Sequence, residues 1–342
     1  MPARLRLTFR RVLCNLLWAI ASLYALSLLY YLSLRAIAGD RLWPVALASV
    51  FLPWLMFPAL ILLPLALWRR RWATGALLGV SVAVFVWLYG ELFLPRLDLR
   101  FGAGPASGAR PVDLTFMTYN AYRVPADALV KMLRASHADV IGLQELDRQQ
   151  TAAIARALTD LYPYRVLYLD ERSHTLSALG LLSRHPIAQY RYFYMSTGRP
   201  NIHAALDVEG RDEPLAVIVT HPPSPGLGRG GYHIHELADD EITGLIPAAT
   251  TGAPTVLLGD FNTSDQSDLY RPLRDAALVD AFRAAGWGFG FTWPVRLGGV
   301  PLLPLARIDY IWHTAHFRAL EAWVGPDAGS DHLPVLARLA WG

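Results

Sequence analysis

Along the C-terminal two-thirds of this chain, one short apolar run after another is closed by a polar residue whose chemistry suits phosphate esters. In order these are Asn120, Glu145, His221, Asp260 with Asn262, Asp309, and the pair Asp331-His332. The two strings nearest the C-terminus, Arg307-Ile308-Asp309-Tyr310 and Ser330-Asp331-His332-Leu333-Pro334-Val335, put two acids and a histidine at the ends of two such runs. Carboxylates can hold a divalent cation, and an imidazole can act as acid, base or cation. Metal-assisted attack of water on phosphorus needs both.

Each position has a bland alternative. Asn120, after Phe116-Met117-Thr118-Tyr119, suits metal binding or the fixing of a carboxylate, and it is also an ordinary turn residue. Glu145, after Leu143-Gln144, suits a hard cation such as Mg²⁺, which needs few protein carboxylates because it keeps several waters. It equally suits the first turn of a following helix. His221 ends Thr220-His221-Pro222-Pro223 and faces a Gly/Pro-rich stretch at 224–231, where it would contact a phosphate oxygen or the leaving group. In Leu257-Leu258-Gly259-Asp260-Phe261-Asn262 the glycine is expected to let the chain turn sharply. Asp260 and Asn262 then point the same way in an extended segment, one polarising water and the other holding a phosphate oxygen; both are also common turn formers. A carboxylate on one nitrogen of His332 would fix its tautomer and favour the cation, leaving the other nitrogen for phosphate, and Asp331 beside it would join the metal site. His174, His185, His203, His233, His235, His313 and His316 lack a comparable setting. There is no G-x-S-x-G elbow, no Walker loop, and no GxGxxG after a strand. The single cysteine, Cys14, excludes an internal disulfide and a cysteine-based zinc site.

The elements that must position these residues are short. Strands are expected at 114–119, 140–144, 177–183, 188–194, 204–208, 215–220, 255–258, 308–312 and 334–339, and helices at 126–136, 148–159, 232–247 and 268–273. Runs such as Val140–Gln144 and Thr255–Asp260 are apolar on both faces, as in strands covered on each side. Helices outside a layered sheet, an α/β or α+β sandwich, follow from that pattern.

The N-terminal third is different. The chain is 54% hydrophobic and 17% charged, and apolar runs at 12–34, 43–68 and 73–94 are each long enough to cross ~30 Å of hydrocarbon. The second contains Pro44, Pro53, Pro58 and Pro64, so a kinked helix is expected. Arg4, Arg6, Arg10 and Arg11 precede the first run, and Arg69, Arg70 and Arg71 lie between the second and third. By the positive-inside rule both clusters are cytoplasmic, so the N-terminus is inside and residues after the third span are outside. A re-entrant second run would reverse that parity. Trp and Tyr at span ends fit an interfacial belt or plain helix packing. Residues 95–111, rich in Gly, Pro, Ala and Ser, read as a tether. Charge divides at the same place. Residues 1–111 hold 12 Arg against 3 acids, +9; residues 112–342 hold 19 Lys and Arg against 25 acids, −6; together these give the net +3.

From 112 to 341 the strings, in this order, resemble the endonuclease/exonuclease/phosphatase superfamily, which includes DNase I-like nucleases, abasic-site endonucleases, inositol-polyphosphate phosphatases and neutral sphingomyelinases. The resemblance implies a four-layer α/β sandwich of two packed, mostly antiparallel sheets flanked by helices, with the site at one end. It also implies Glu145 as the Mg²⁺ ligand (Mn²⁺ as a substitute) with Asn120 beside it, and Asp331 as a second acid near the metal. By the same likeness Asp260 aligns or deprotonates the attacking water, Asn262 binds phosphate, and His332, oriented by Asp309, stabilises the developing phosphorane. His221 resembles a histidine of the nuclease and sphingomyelinase branches. One departure is Tyr122, where abasic-site endonucleases carry an acid, which disfavours DNA repair. The three-span N-terminus resembles a bacterial membrane-anchored branch associated with glycopeptide (teicoplanin) resistance.

The expected activity is therefore hydrolysis of a phosphoester or phosphoanhydride without a covalent intermediate. The acidic balance of residues 112–342 speaks against a nonspecific nuclease, which needs a basic surface. The apolar, proline-rich stretch 293–306 (WPVRLGGVPLLPLA) reads as a lip for a lipid tail or as an ordinary packed loop. With the bilayer as partner, a phosphorylated lipid is the expected substrate, an extracytoplasmic DNase the second reading, and a non-catalytic tethered binding module the third.

Overall fold

The computed structural model describes residues 3–94, 112–169, 178–228, 231–233 and 236–342. The expected tether, residue 177 of the expected strand at 177–183 and residues 234–235 of the expected helix at 232–247 lie outside the residues so described. That helix does not begin at 232, since Gly231–His233 is a short strand and the helix described runs from Glu236 to Ala249. The chain divides into two compact units, Met1–Leu94 and Pro95–Gly342.

The first unit is helical: α1 (Ala3–Ala38), α2 (Trp43–Val50), α3 (Leu52–Trp68) and α4 (Trp72–Tyr89). Two stretches, Arg11–Arg41 and Trp72–Phe93, are long and apolar enough to cross a membrane. The second expected span is not one kinked helix. It is α2 and α3, bent by 70° at Phe51, so that it counts as a third span only if the bent pair crosses as one. Pro53 explains the break: it has no N–H to donate back into α2, and it suits the first turn of a new helix, where it sits in α3. Pro58 and Pro64 sit inside α3. Polar side chains join the helices where they meet, Ser22 to Thr74 by a 2.7 Å hydroxyl pair and Tyr24 by donating to the Leu55 carbonyl at 2.7 Å.

The second unit begins β1 (Val112–Asn120), α5 (Ala126–Ala135), β2 (Val140–Gln144), α6 (Arg148–Ala157), β3 (Tyr164–Tyr168) and β4 (Leu179–Ser183). It continues β5 (Ile187–Tyr194), β6 (Pro200–Leu206), β7 (Leu215–Thr220), the short pair β8 (Gly226–Gly228) and β9 (Gly231–His233), α7 (Glu236–Ala249) and β10 (Thr255–Asp260). It ends α8 (Arg271–Asp275), β11 (Val279–Asp280), α9 (Ala281–Ala285), a hairpin of β12 (Arg296–Leu297) and β13 (Val300–Pro301), β14 (Asp309–His313), β15 (Phe317–Val324) and β16 (Val335–Trp341).

Two six-stranded sheets run β15-β16-β1-β2-β4-β3 and β11-β14-β10-β7-β6-β5. Each holds one parallel pair, β1 with β2 and β7 with β10, and the other pairs are antiparallel. Parallel strands need a crossover, and α5 and α7 supply it. The inner faces share one core that includes Phe116, Val140, Val219, Leu258 and Ile311. The outer face of the first sheet packs on α5 and α6 through Met117, Ile141, Leu129 and Ile154. The outer face of the second packs on α7 and α8 through Ile218, Leu257, Ile242 and Leu273. Four layers result, the sandwich anticipated from the sequence. The sheets approach closely at Gly142, where an added Cβ would lie 2.8 Å from Leu258 Cβ.

This topology gathers the polar run-ends. The parallel pairs bring the C-terminal ends of β1, β2, β7 and β10 to one end of the sandwich, with Asn120, Glu145, His221 and Asp260. The antiparallel partner β14 starts there, Asp309 opposite Asp260. β16 also starts there, Val335 opposite Thr118, which delivers the 330–332 loop.

Candidate active site

Asp260 is the hub. It is almost wholly buried. One Oδ2 accepts from Asn120 Nδ2 at 3.0 Å and lies 3.6 Å from His221 Nε2 and 3.7 Å from His332 Nε2. Asn120 Nδ2 also donates to Glu145 Oε1 at 3.0 Å, and His221 Nε2 lies 3.6 Å from the same oxygen. On the other side His332 Nδ1 meets both oxygens of Asp309, at 3.0 and 3.3 Å. Two triads of ligand-type atoms result, Glu145–His221–Asp260 and Asp260–Asp309–His332, each within 4.8 Å and sharing Asp260.

The local backbone explains these positions and corrects two expectations. Gly259 does not turn the chain, since β10 runs on through Asp260. Its part is space: a Cβ would lie 2.5 Å from the Thr220 carbonyl oxygen on β7. Nor are Asp260 and Asn262 extended neighbours. Asn262 is left-handed at φ 53°, its N–H bonds back to Asp260 Oδ1 at 2.8 Å, and its Nδ2 donates to the Pro222 carbonyl at 3.0 Å. Its amide thus ties the Asp260 turn to the His221 loop. Glu145 is also left-handed, at φ 56°, a conformation that costs of order 1–3 kcal/mol for a non-glycine residue and aims its carboxylate at Asn120. Glu145 is not in the first turn of the following helix: α6 starts at Arg148 and is capped by Asp147, which forms a capping box with Gln150.

Asp331 stands apart from the two triads. Its hydrogen bond runs to Ser330 at 3.4 Å, while its charge reaches both Glu145 and His332. Two contributors escape sequence reasoning. Ser330 is buried, donates to the Asn120 carbonyl at 2.8 Å and accepts from the His332 N–H at 3.2 Å, locking the His332 loop to β1. Arg199 Nη1 donates to the carbonyls of His221 and Pro222 at 3.3 and 3.4 Å. Ser330 opens the string Ser330–Val335, but nothing in that string shows its bonds, and no motif marks Arg199.

Electrostatics divide the roles. Burial drives His221 well below its ordinary 6.5, helped by the charges of Arg199 and His332, so it is neutral. Burial also works against a charge on His332, but Asp309 and then Asp260 outweigh it and raise the group to about 10, an imidazolium at neutral pH. Burial raises Asp260 to about 7, opposed by His332 and reinforced by Asp309. Burial raises Glu145 too, against its bond from Asn120. Such a set of close, desolvated carboxylates with a neutral imidazole fits a hard divalent cation, and the buried His221 Nδ1 has no partner among the described residues.

Beside His332 the 293–306 stretch contains a hairpin, β12–β13, whose base packs on the His332 loop. Trp293 lies 6.5 Å from the His332 ring, ring centre to ring centre. Val295 N–H donates to the Asp331 carbonyl and Leu333 N–H to the Thr292 carbonyl, both at 2.9 Å. Its outer residues Leu297, Val300, Leu302 and Leu303 are exposed.

In sequence, residues 117–332 match the Endonuclease/Exonuclease/phosphatase family. No curated protein matches. Among solved structures, an endonuclease/exonuclease/phosphatase from Beutenbergia cavernae is similar at TM-score 0.55 and 21% identity, over 67% of this chain and 72% of that one. One from Bacteroides vulgatus gives 0.57 and 18%, over 68% and 100%. The human Nocturnin catalytic domain, solved with a bound sulfate anion, gives 0.52 and 15%, over 69% and 97%.

Proposed function

The chain belongs to the endonuclease/exonuclease/phosphatase family, and from that premise we propose that it is a Mg²⁺-dependent phosphoesterase acting on a lipid-linked phosphate at a membrane surface. The observation that carries the hydrolase reading is that Glu145 and His221 on one side, and the His332–Asp309 pair on the other, gather around the one carboxylate of Asp260.

Asp260, with its carboxyl titrating near neutrality, takes the proton of the attacking water. His332 keeps its imidazolium through Asp309 and donates to a phosphoryl oxygen as charge grows there. Asn120 keeps Glu145 and Asp260 in register. Neutral His221 donates or accepts at the same phosphoryl group. A divalent cation held by Glu145 and Asn120, with Asp331 as the more distant acid, would supply charge neutralisation at phosphorus.

The lipid part rests on two features. The N-terminal unit has helices apolar enough for a bilayer, and the exposed Leu297, Val300, Leu302 and Leu303 belong to a hairpin whose base, at Thr292 and Val295, is hydrogen-bonded to the His332 loop. With the bent α2–α3 pair as one crossing, the arginine clusters lie in the cytoplasm and residues after α4 face outward, as in the glycopeptide-resistance architecture the chain resembles. Phosphate release from a polyprenyl diphosphate by the detergent-solubilised protein with Mg²⁺ tests the reading. Plasmid nicking without that release would favour a nuclease. Neither activity, in wild type and His332→Ala alike, would leave a binding module.

A further inference from the structure

We propose that Arg199 binds a second anionic group of the substrate, beside the phosphate under attack, so that the preferred substrate is a diphosphate. The inference rests on the phosphoesterase reading above and narrows its substrate class.

Arg199 ends the β5–β6 turn and lies immediately before β6. That turn is anchored from beneath. Fully buried Glu241 on α7 accepts from Thr197 Oγ1 and from Asn201 Nδ2, and Asn201 Oδ1 accepts from Thr220 Oγ1 at 2.6 Å. The guanidinium is thereby held against the His221–Pro222 backbone. One of its nitrogens, Nη1, makes both bonds to the His221–Pro222 carbonyls. Among the described residues, Nη2 and Nε have no partner. A guanidinium carries five donors in a fixed fork and suits a phosphate better than a pair of carbonyls. Its charge reaches Glu145 and His221 and counters burial at Glu145.

Strand order gives the substrate a direction. Asp309 and Asp260 belong to β14 and β10, His221 directly follows β7, and Arg199 precedes the next strand, β6. The apolar hairpin adjoins His332 on the β14 side. A molecule with an apolar tail at the hairpin and a phosphate over Asp260 therefore presents any further anion to Arg199.

The alternative is that Arg199 only braces the His221 loop. Calorimetric titration of the full-length, Mg²⁺-loaded protein with inorganic phosphate and with pyrophosphate separates the two. R199A is expected to weaken pyrophosphate about ten- to a hundredfold and phosphate less than about threefold, the scale of one lost charge-assisted hydrogen bond. R199K is expected to recover part of the loss, since an ammonium restores the charge without the fork. Equal weakening of both anions, or of neither, overturns the proposal. Turnover of a monophosphate and a diphosphate bearing the same prenyl tail should show the same split in kcat/KM. If prenyl substrates prove no better than phenyl phosphate and phenyl diphosphate, the lipid reading fails, and the diphosphate-to-monophosphate ratio still decides the role of Arg199.

Discussion

Replacing Asp309 with Asn keeps the shape of the His332 partner and removes its charge, so it isolates what that charge does. Both Asp309 oxygens lie within 3.3 Å of His332 Nδ1, and both residues are buried. His332 is raised from 6.5 to about 10, and Asp309 is the largest influence raising it, ahead of Asp260. At about 1.4 kcal/mol per pH unit, that rise amounts to roughly 5 kcal/mol of preference for the imidazolium. Without Asp309, burial dominates and the ring should be neutral at pH 8. The phosphoryl oxygen then loses a charged donor, an effect of about 10²–10³ in kcat. The assay is turnover of bis(p-nitrophenyl) phosphate with saturating Mg²⁺ from pH 5 to 11. Wild type should rise through the Asp260 titration, at or below about 7 once the cation binds, and hold until His332 deprotonates near 10. D309N should lose its alkaline limb and recover toward wild type as pH falls. An unmoved alkaline limb with near-wild-type kcat would refute the role given to the pair. Stability has the matching sign. Both folded-state values lie above their ordinary ones, so the contribution is complete below 3.8 for Asp260 and 6.5 for His332. It is lost as pH rises through about 7 and about 10 respectively.

Other perturbations separate positioning from chemistry. Asn120→Ala removes the 3.0 Å donor shared by Glu145 and Asp260. It should raise the Mg²⁺ concentration for half-maximal activity about ten- to a hundredfold, as loss of a ligand-orienting group does, and an unchanged Mg²⁺ titration would count against the bridge. Gly259→Ala forces a Cβ to 2.5 Å from the Thr220 oxygen. It should cost about 1–3 kcal/mol, read from the urea midpoint of near-UV circular dichroism, and an unshifted midpoint would contradict the close approach. Replacing exposed Leu297, Val300 and Leu303 together by Ser should lower turnover of a polyprenyl diphosphate in mixed micelles about tenfold while sparing bis(p-nitrophenyl) phosphate. Equal rates on the lipid would remove the hairpin from substrate binding.

How far the site can be read from sequence follows from strand direction. Asn120, Glu145, His221 and Asp260 end parallel strands buried on both faces, so each apolar run carries its polar terminus to the same edge. Asp309 begins a strand, and only the antiparallel β10–β14 register shows why a beginning meets those ends. Arg199 and Ser330 act through backbone carbonyls, and a carbonyl has no residue type for a motif to display. Edge strand β5 is legible in the sequence at 188–194, but the edge strands β3 and β15 are not, for a different reason. β15 alternates poorly because its register slips between Ala319 and Glu321, and β3 mixes Tyr and Arg with its apolar residues at the sheet margin. Glycine misleads where it is needed for space: Gly259 sits in a continuous strand, and the left-handed backbone that follows belongs to Asn262. The two left-handed non-glycine residues at the site, Glu145 and Asn262, both flank the shared Asp260 and have their side chains tied down by bonds from Asn120 and to Pro222. Strain of this kind persists only where surrounding contacts over-determine it. In this fold those contacts are the ones that hold Glu145 and Asp260 within 4.8 Å of each other, close enough to share one cation.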